Sequence, residues 1–195
     1  MRMQKVALSM LALVYVAALG TTIGGQTPVD GDGPRYVNTL NLVRPADYRE
    51  WVFLSSGIGM DYDPGASKGQ RFGNVFVNPS SYRAFMKTGK WPDRTIFVLE
   101  FRASTSEGSI NKAGRFQTQL VGLEAEVKDS RFPDGWGFFN FSQKGAITNT
   151  AEPLPDNAGC VECHTKNTAV ERTFVQFYPT LMEVARKMGT VKPGF

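Results

Sequence analysis

Histidine occurs once in these 195 residues and cysteine twice, and the two scarcities exclude whole classes of chemistry. A single imidazole rules out a metal site built from several histidines, and a haem held between two of them, within one subunit. Charge of one sign is also scarce. Lysine and arginine number 22 against 18 aspartates and glutamates, a net of +4, too small and too scattered for a nucleic-acid surface. No linker rich in proline, glycine and serine divides the chain into halves with their own cores, and no repeat or low-complexity tract is present. What remains, 42% hydrophobic and 21% charged residues, is the balance of one globular domain rather than of a disordered or fibrous chain.

Long apolar runs are confined to the beginning. In MRMQKVALSMLALVYVAALG, Arg2 and Lys5 precede an uncharged stretch from Val6 to Leu19 that closes on the small residues Ala18 and Gly20. The pattern predicts a secretory signal peptide over residues 1–20, export to the periplasm, and no membrane attachment once it is removed. An uncleaved anchor is the competing reading, because Thr21 to Gly24 extends the run toward the roughly 20 residues a bilayer needs. Residues 21–44, with Pro28, Gly31, Gly33 and Pro34, read as an irregular lead-in to a domain over 45–195.

Within that domain, residues 45–53 (PADYREWVF) have a first-turn proline and Tyr48, Trp51 and Val52 at helical spacing, which predicts a short helix. Residues 61–70 are turn-rich and 72–77 read as a strand. Asn78-Pro79 then supplies a helix cap and first-turn proline, Tyr82, Phe85 and Met86 an apolar stripe, and Gly89 a stop. Three β-like runs follow, at 95–102, 119–128 and 135–141, separated by a long polar loop at 103–115 and a shorter connection. Helical segments close the chain, with Pro179 at a start and an end near Met188. Successive strands without long helices between them predict an α+β fold with an antiparallel sheet and flanking helices.

The chemistry is concentrated in Cys160-Val161-Glu162-Cys163-His164. Two thiols separated by two residues can add to the two vinyl groups of one haem, and the histidine that follows is placed to ligate its iron. The spacing therefore points to one covalently attached haem c, with Cys160 and Cys163 as thioethers and His164 as the proximal ligand. A zinc site would need an Asp or Glu as fourth ligand, and a thioredoxin-like dithiol would want the motif at the first helix of a βαβ unit. A dithiol or disulfide is the plain alternative.

Together with this motif, the runs REWVFLSSGIGMDYDP, NVFVNPSSYRAFMKTGKWPD and LVGLEAEVKDSRFPDGWGFFNF resemble the cytochrome P-460 family, to which cytochrome c′-beta is related. The resemblance covers roughly Tyr48 to Leu181. It implies an antiparallel sheet over one face of a c-type haem, pairing as a homodimer, and either hydroxylamine oxidation or nitric oxide binding. It also implies a lysine cross-linked to the haem edge, on the strand after the Trp91-Pro92-Asp93 turn. TIFVLEFR holds none, and Leu99 takes that place, with Lys87 and Lys90 just ahead of the turn as the remaining candidates. A distal carboxylate acting as proton relay is expected shortly before the haem motif, where Glu152 and Asp156 stand as candidate catalytic residues.

The sixth position on the iron is left to a methionine (Met60, Met86, Met182 or Met188), a lysine, or nothing, and an open site is the default. Alternation places Phe97, Leu99 and Phe101 on one strand face. Facing the haem, they would make an apolar distal pocket suited to nitric oxide or another small nitrogen compound; otherwise they pack the core. Two functions follow: an exported mono-haem cytochrome with an open or weakly occupied iron, or an electron-transfer cytochrome with methionine as sixth ligand and a redox partner protein.

Overall fold

The computed structural model describes residues 31–60, 70–132 and 134–195. The expected signal peptide, residues 21–30 of the lead-in and residues 61–69 of the turn-rich stretch lie outside that set. In chain order the elements are β1 (Tyr36–Val37), β2 (Asn41–Val43), β3 (Val52–Ile58), β4 (Phe72–Val77), α1 (Pro79–Thr88), β5 (Thr95–Thr105) and β6 (Phe116–Lys128). They continue with β7 (Trp136–Asn140), β8 (Ser142–Gln143), β9 (Ala146–Ile147), β10 (Thr150–Ala151), α2 (Gly159–Lys166) and α3 (Pro179–Met188). β3 to β7 form one sheet in sequence order, each strand antiparallel to the next. This is the α+β fold with an antiparallel sheet that the strand-rich middle of the chain predicts.

Three local expectations need correction. Residues 45–53 yield only one 3-10 turn, Tyr48–Glu50, because Val52 and Phe53 pair with Val77 and Phe76 and the β-branched and aromatic run becomes a strand. The lead-in is not wholly irregular: β1 pairs with β2, and β2 pairs with β10 in a small second sheet. Asn78 occupies the N-cap position of α1 without capping it. Its Oδ1 accepts from the Ile96 amide (3.0 Å), while Asp32 Oδ2 accepts from the Ser80 amide (2.7 Å) and does the capping from a distance. Gly89 ends the helix as expected, at φ +67°, a conformation open to glycine at no steric cost.

The central sheet is covered on both faces. On one, Val77, Phe97 and Phe138 pack with Phe85 of α1, with Trp91, and with Leu181, Met182 and Ala185 of α3. On the other, Ile96, Val98, Leu123, Val127 and Phe139 pack with Leu42, Tyr48, Trp51 and Ala151. The adjacent residues Phe138 and Phe139 therefore anchor opposite layers, as strand alternation requires. Val121, at the register shift between the Phe101–Gly122 and Arg102–Leu120 pairs, is exposed, as are Phe53 and Ile58 of the edge strand β3.

The back layer also holds a buried carboxylate. Glu100 is 2% exposed and accepts hydrogen bonds from Arg49 Nη2 (2.7 Å), Arg102 Nε (2.6 Å), Asn74 Nδ2 (3.2 Å) and the Tyr48 hydroxyl. Close packing also marks the contact of β7 with Phe132. A Cβ on Gly137 would lie 2.7 Å from Phe132 Cε2 and Cζ, inside a buried aromatic contact. Gly137→Ala is expected to destabilise the fold by about 1–3 kcal/mol through overpacking, read as a lowered urea midpoint with unchanged slope.

Candidate functional site

Between the front of the central sheet and the C-terminal helical segment lies a cavity of about 450 Å³. Strand alternation supplies its floor: Phe97, Leu99 and Phe101 of β5 face into it, beside Gly73 and Val75 of β4. Cys160, Cys163 and His164 of α2 form the opposite wall, with Phe174, Phe177 and Tyr178 following. The volume lies within the 300–1,000 Å³ range of small-molecule and cofactor sites. A mostly apolar chamber with two thiols and an imidazole on one wall fits a haem, which needs an apolar enclosure, two sulfur attachments and one nitrogen ligand. Both thiols are free. Burial, with the nearby charges of Glu124 and Cys163, pushes the Cys160 thiol above its ordinary pKa against two backbone hydrogen bonds that pull it down.

His164 is held on three sides. Its ring sits between the edges of Phe138 and Phe174, with centroids 4.8 and 4.5 Å away. Nδ1 lies 2.8 Å from the Arg172 carbonyl oxygen, which can only accept, so Nδ1 carries a proton and Nε2 keeps the lone pair that a metal needs. Glu126 Oε2 is 2.7 Å from the same Nδ1. Of the two acceptors the carbonyl satisfies the angle, while Oε2 receives no hydrogen bond. The pair is thus a close charge contact rather than a well-formed hydrogen bond. Burial disfavours the imidazolium, but Glu126, the Arg172 carbonyl and Glu124 outweigh it, and the pKa of His164 in this form of the chain lies above its ordinary value.

The structure brings some of the candidate residues together and leaves others apart. Phe97, Leu99 and Phe101 share the cavity with Cys160, Cys163 and His164. Glu152 and Asp156 are exposed and do not line it; among the described residues the carboxylates that do are Glu124 and Glu126 of β6. Lys87 and Lys90 are exposed at the end of α1, and among the described residues no lysine lines the cavity. Of the four candidate methionines, Met60 alone lines it, while Met86 and Met182 pack in the front core and Met188 is exposed at the end of α3.

Arg71 lines the cavity, its guanidinium 3.9 Å from the centroid of the Phe101 ring. Burial raises the pKa of Glu124, with Arg71 and His164 opposing only in part. Among the described residues no three His, Cys, Asp or Glu side chains converge as a metal ion would require, so the zinc alternative has no fourth ligand in place.

A comparison with curated proteins finds no match. The family model described as Cytochrome P460 matches residues 45–175, which spans the central sheet, the cavity floor and the whole Cys160 to His164 segment. That match covers more than half of the chain and carries a haem as the family's cofactor, and the chain belongs to the cytochrome P460 family.

Proposed function

We propose that this chain is an exported mono-haem c-type cytochrome with an open or weakly occupied iron that binds nitric oxide or reacts with small nitrogen compounds such as hydroxylamine. One observation carries the reading: the C-x-x-C-H side chains and the apolar face of β5 look into the same cavity. Cys160 and Cys163 hold the haem through thioethers, and His164 ligates it through Nε2 with Nδ1 engaged by the Arg172 carbonyl. Bound there, haem supplies a redox-active iron that takes small ligands. Phe97, Leu99 and Phe101 give the cavity an apolar floor without a hydrogen-bond donor, which suits uncharged diatomic ligands, while Arg71 and Glu124 in the same lining are polar groups available to a hydrogen-bonding ligand.

Leu99, where the cytochrome P-460 resemblance expects the cross-linking lysine, supports gas binding over hydroxylamine oxidation. Periplasmic location and a homodimer belong to the same proposal. Met60 supports a second reading, in which its thioether becomes the sixth ligand of an electron-transfer cytochrome that meets a redox partner protein.

Visible spectroscopy separates the two. High-spin bands in the ferric protein and rapid carbon monoxide uptake in the ferrous protein are the expected result, with an ordinary c-haem Soret band. A sharp low-spin α-band in the reduced protein and no ligand uptake would select Met60 instead. A haem-linked peptide from residues 87–102 found by mass spectrometry, together with hydroxylamine turnover, would restore the oxidase reading.

A further inference from the structure

We propose that Glu126 is the charge partner of the proximal ligand, a positioning residue that sets how strongly His164 donates to the iron; the inference rests on the reading of His164 as that ligand. Glu126 sits on β6 between Ala125 and Val127, which face the back layer, so alternation turns its side chain to the cavity. It is 9% exposed, and its Oε2 has no hydrogen-bond partner although it lies 2.7 Å from Nδ1. An orphaned carboxylate oxygen in such a place is costly unless a neighbour compensates it, and the imidazole N–H is the group at hand.

The ring is already fixed by Phe138, Phe174 and the Arg172 carbonyl, so Glu126 is not needed to hold it. Its added effect is electrostatic. A carboxylate charge 2.7 Å from Nδ1 polarises the N–H that the Arg172 carbonyl accepts and leaves Nε2 richer in electron density, the same direction of effect that carboxylate partners have on metal-bound histidines. Greater donation, and the negative charge itself, favour ferric over ferrous iron. A neutral acceptor such as the carbonyl alone would do this far less.

The test compares Glu126→Gln, which keeps the shape and removes the charge, with Glu126→Asp, which keeps the charge. In holoprotein with haem attached, Glu126→Gln is expected to raise the midpoint potential and to move the ferrous iron–histidine stretch in the resonance Raman spectrum to lower frequency. Glu126→Asp is expected to return both toward the parent. No change in Glu126→Gln overturns the proposal, as does an equal change in both variants, which would mark a packing effect. Should Glu126→Gln fail to mature, the parent's own stretch decides: a frequency at the imidazolate end supports the charge pair, and one typical of a neutral imidazole overturns it. Failure of the underlying reading looks different, since His164→Ala would then leave the haem spectrum unchanged.

Discussion

The double variant Cys160→Ala, Cys163→Ala is expected to run without haem on a denaturing gel and to lack the mass of one haem that the parent carries. No other cysteine exists to substitute, and both thiols stand free on one wall of the cavity with His164 beside them. Thioether bonds survive denaturation whereas an iron–histidine bond does not, so the gel separates attachment from ligation. His164→Ala is the complementary change: haem stays on the chain through the two sulfurs, and the spectrum alters because the one imidazole is gone. A parent protein whose two native thiols titrate freely and which carries no haem would overturn the attachment reading.

The second large effect lies on the opposite face of the sheet. Glu100→Ala is expected to destabilise the fold by about 1.5–3 kcal/mol, since it removes the buried acceptor of the Tyr48 hydroxyl and of the Arg49 and Arg102 guanidinium groups, while Arg102 keeps the Thr118 carbonyl and Asn74 keeps Gln117. Burial alone would raise the Glu100 carboxyl, but hydrogen bonds from Arg102, Tyr48, Arg49 and Asn74 more than compensate and hold it down to about 2. Its folded pKa is therefore below the unfolded one. The associated stability is present above the ordinary carboxylate range and is lost as pH falls toward 2. Urea midpoints of the parent should drop across that interval. Glu100→Gln should show a flatter profile there, and an unchanged profile would remove Glu100 from the account of acid stability.

The haem motif was legible at once because its chemistry depends on five adjacent residues; that Phe97, Leu99 and Phe101 share one strand face was legible from the two-residue period, but not that this face meets the cavity, because Ile96 and Val98 make the other face equally apolar. Glu124 and Glu126 were not found, for a physical reason. In GLEAEVK the apolar alternate residues mark one buried face, and the charged ones between them read as a solvent face. The sheet is covered on both sides, so those carboxylates point into a cavity that only distant segments close. Glu152 and Asp156 drew notice through proximity in sequence to Cys160, yet they lie on an exposed stretch before α2. β3 was hidden in the same way: its partner β4 begins beyond residue 70, and no local signal outweighed the helix-like spacing of Tyr48, Trp51 and Val52.

Strand order has a further consequence, for the order of assembly. In the central sheet every strand pairs with its neighbour in sequence, across connections of about 7 to 17 residues, the longest of them holding α1, so each pairing closes a modest loop. The small second sheet is different, because Leu42 of β2 meets Ala151 of β10 across about a hundred residues. Contact order thus predicts that this small sheet pairs after the five-stranded platform exists. That seam, centred on the buried Leu42 and Ala151, lies on the face of the platform turned away from Cys160, Cys163 and His164, so its closure leaves the cavity side untouched.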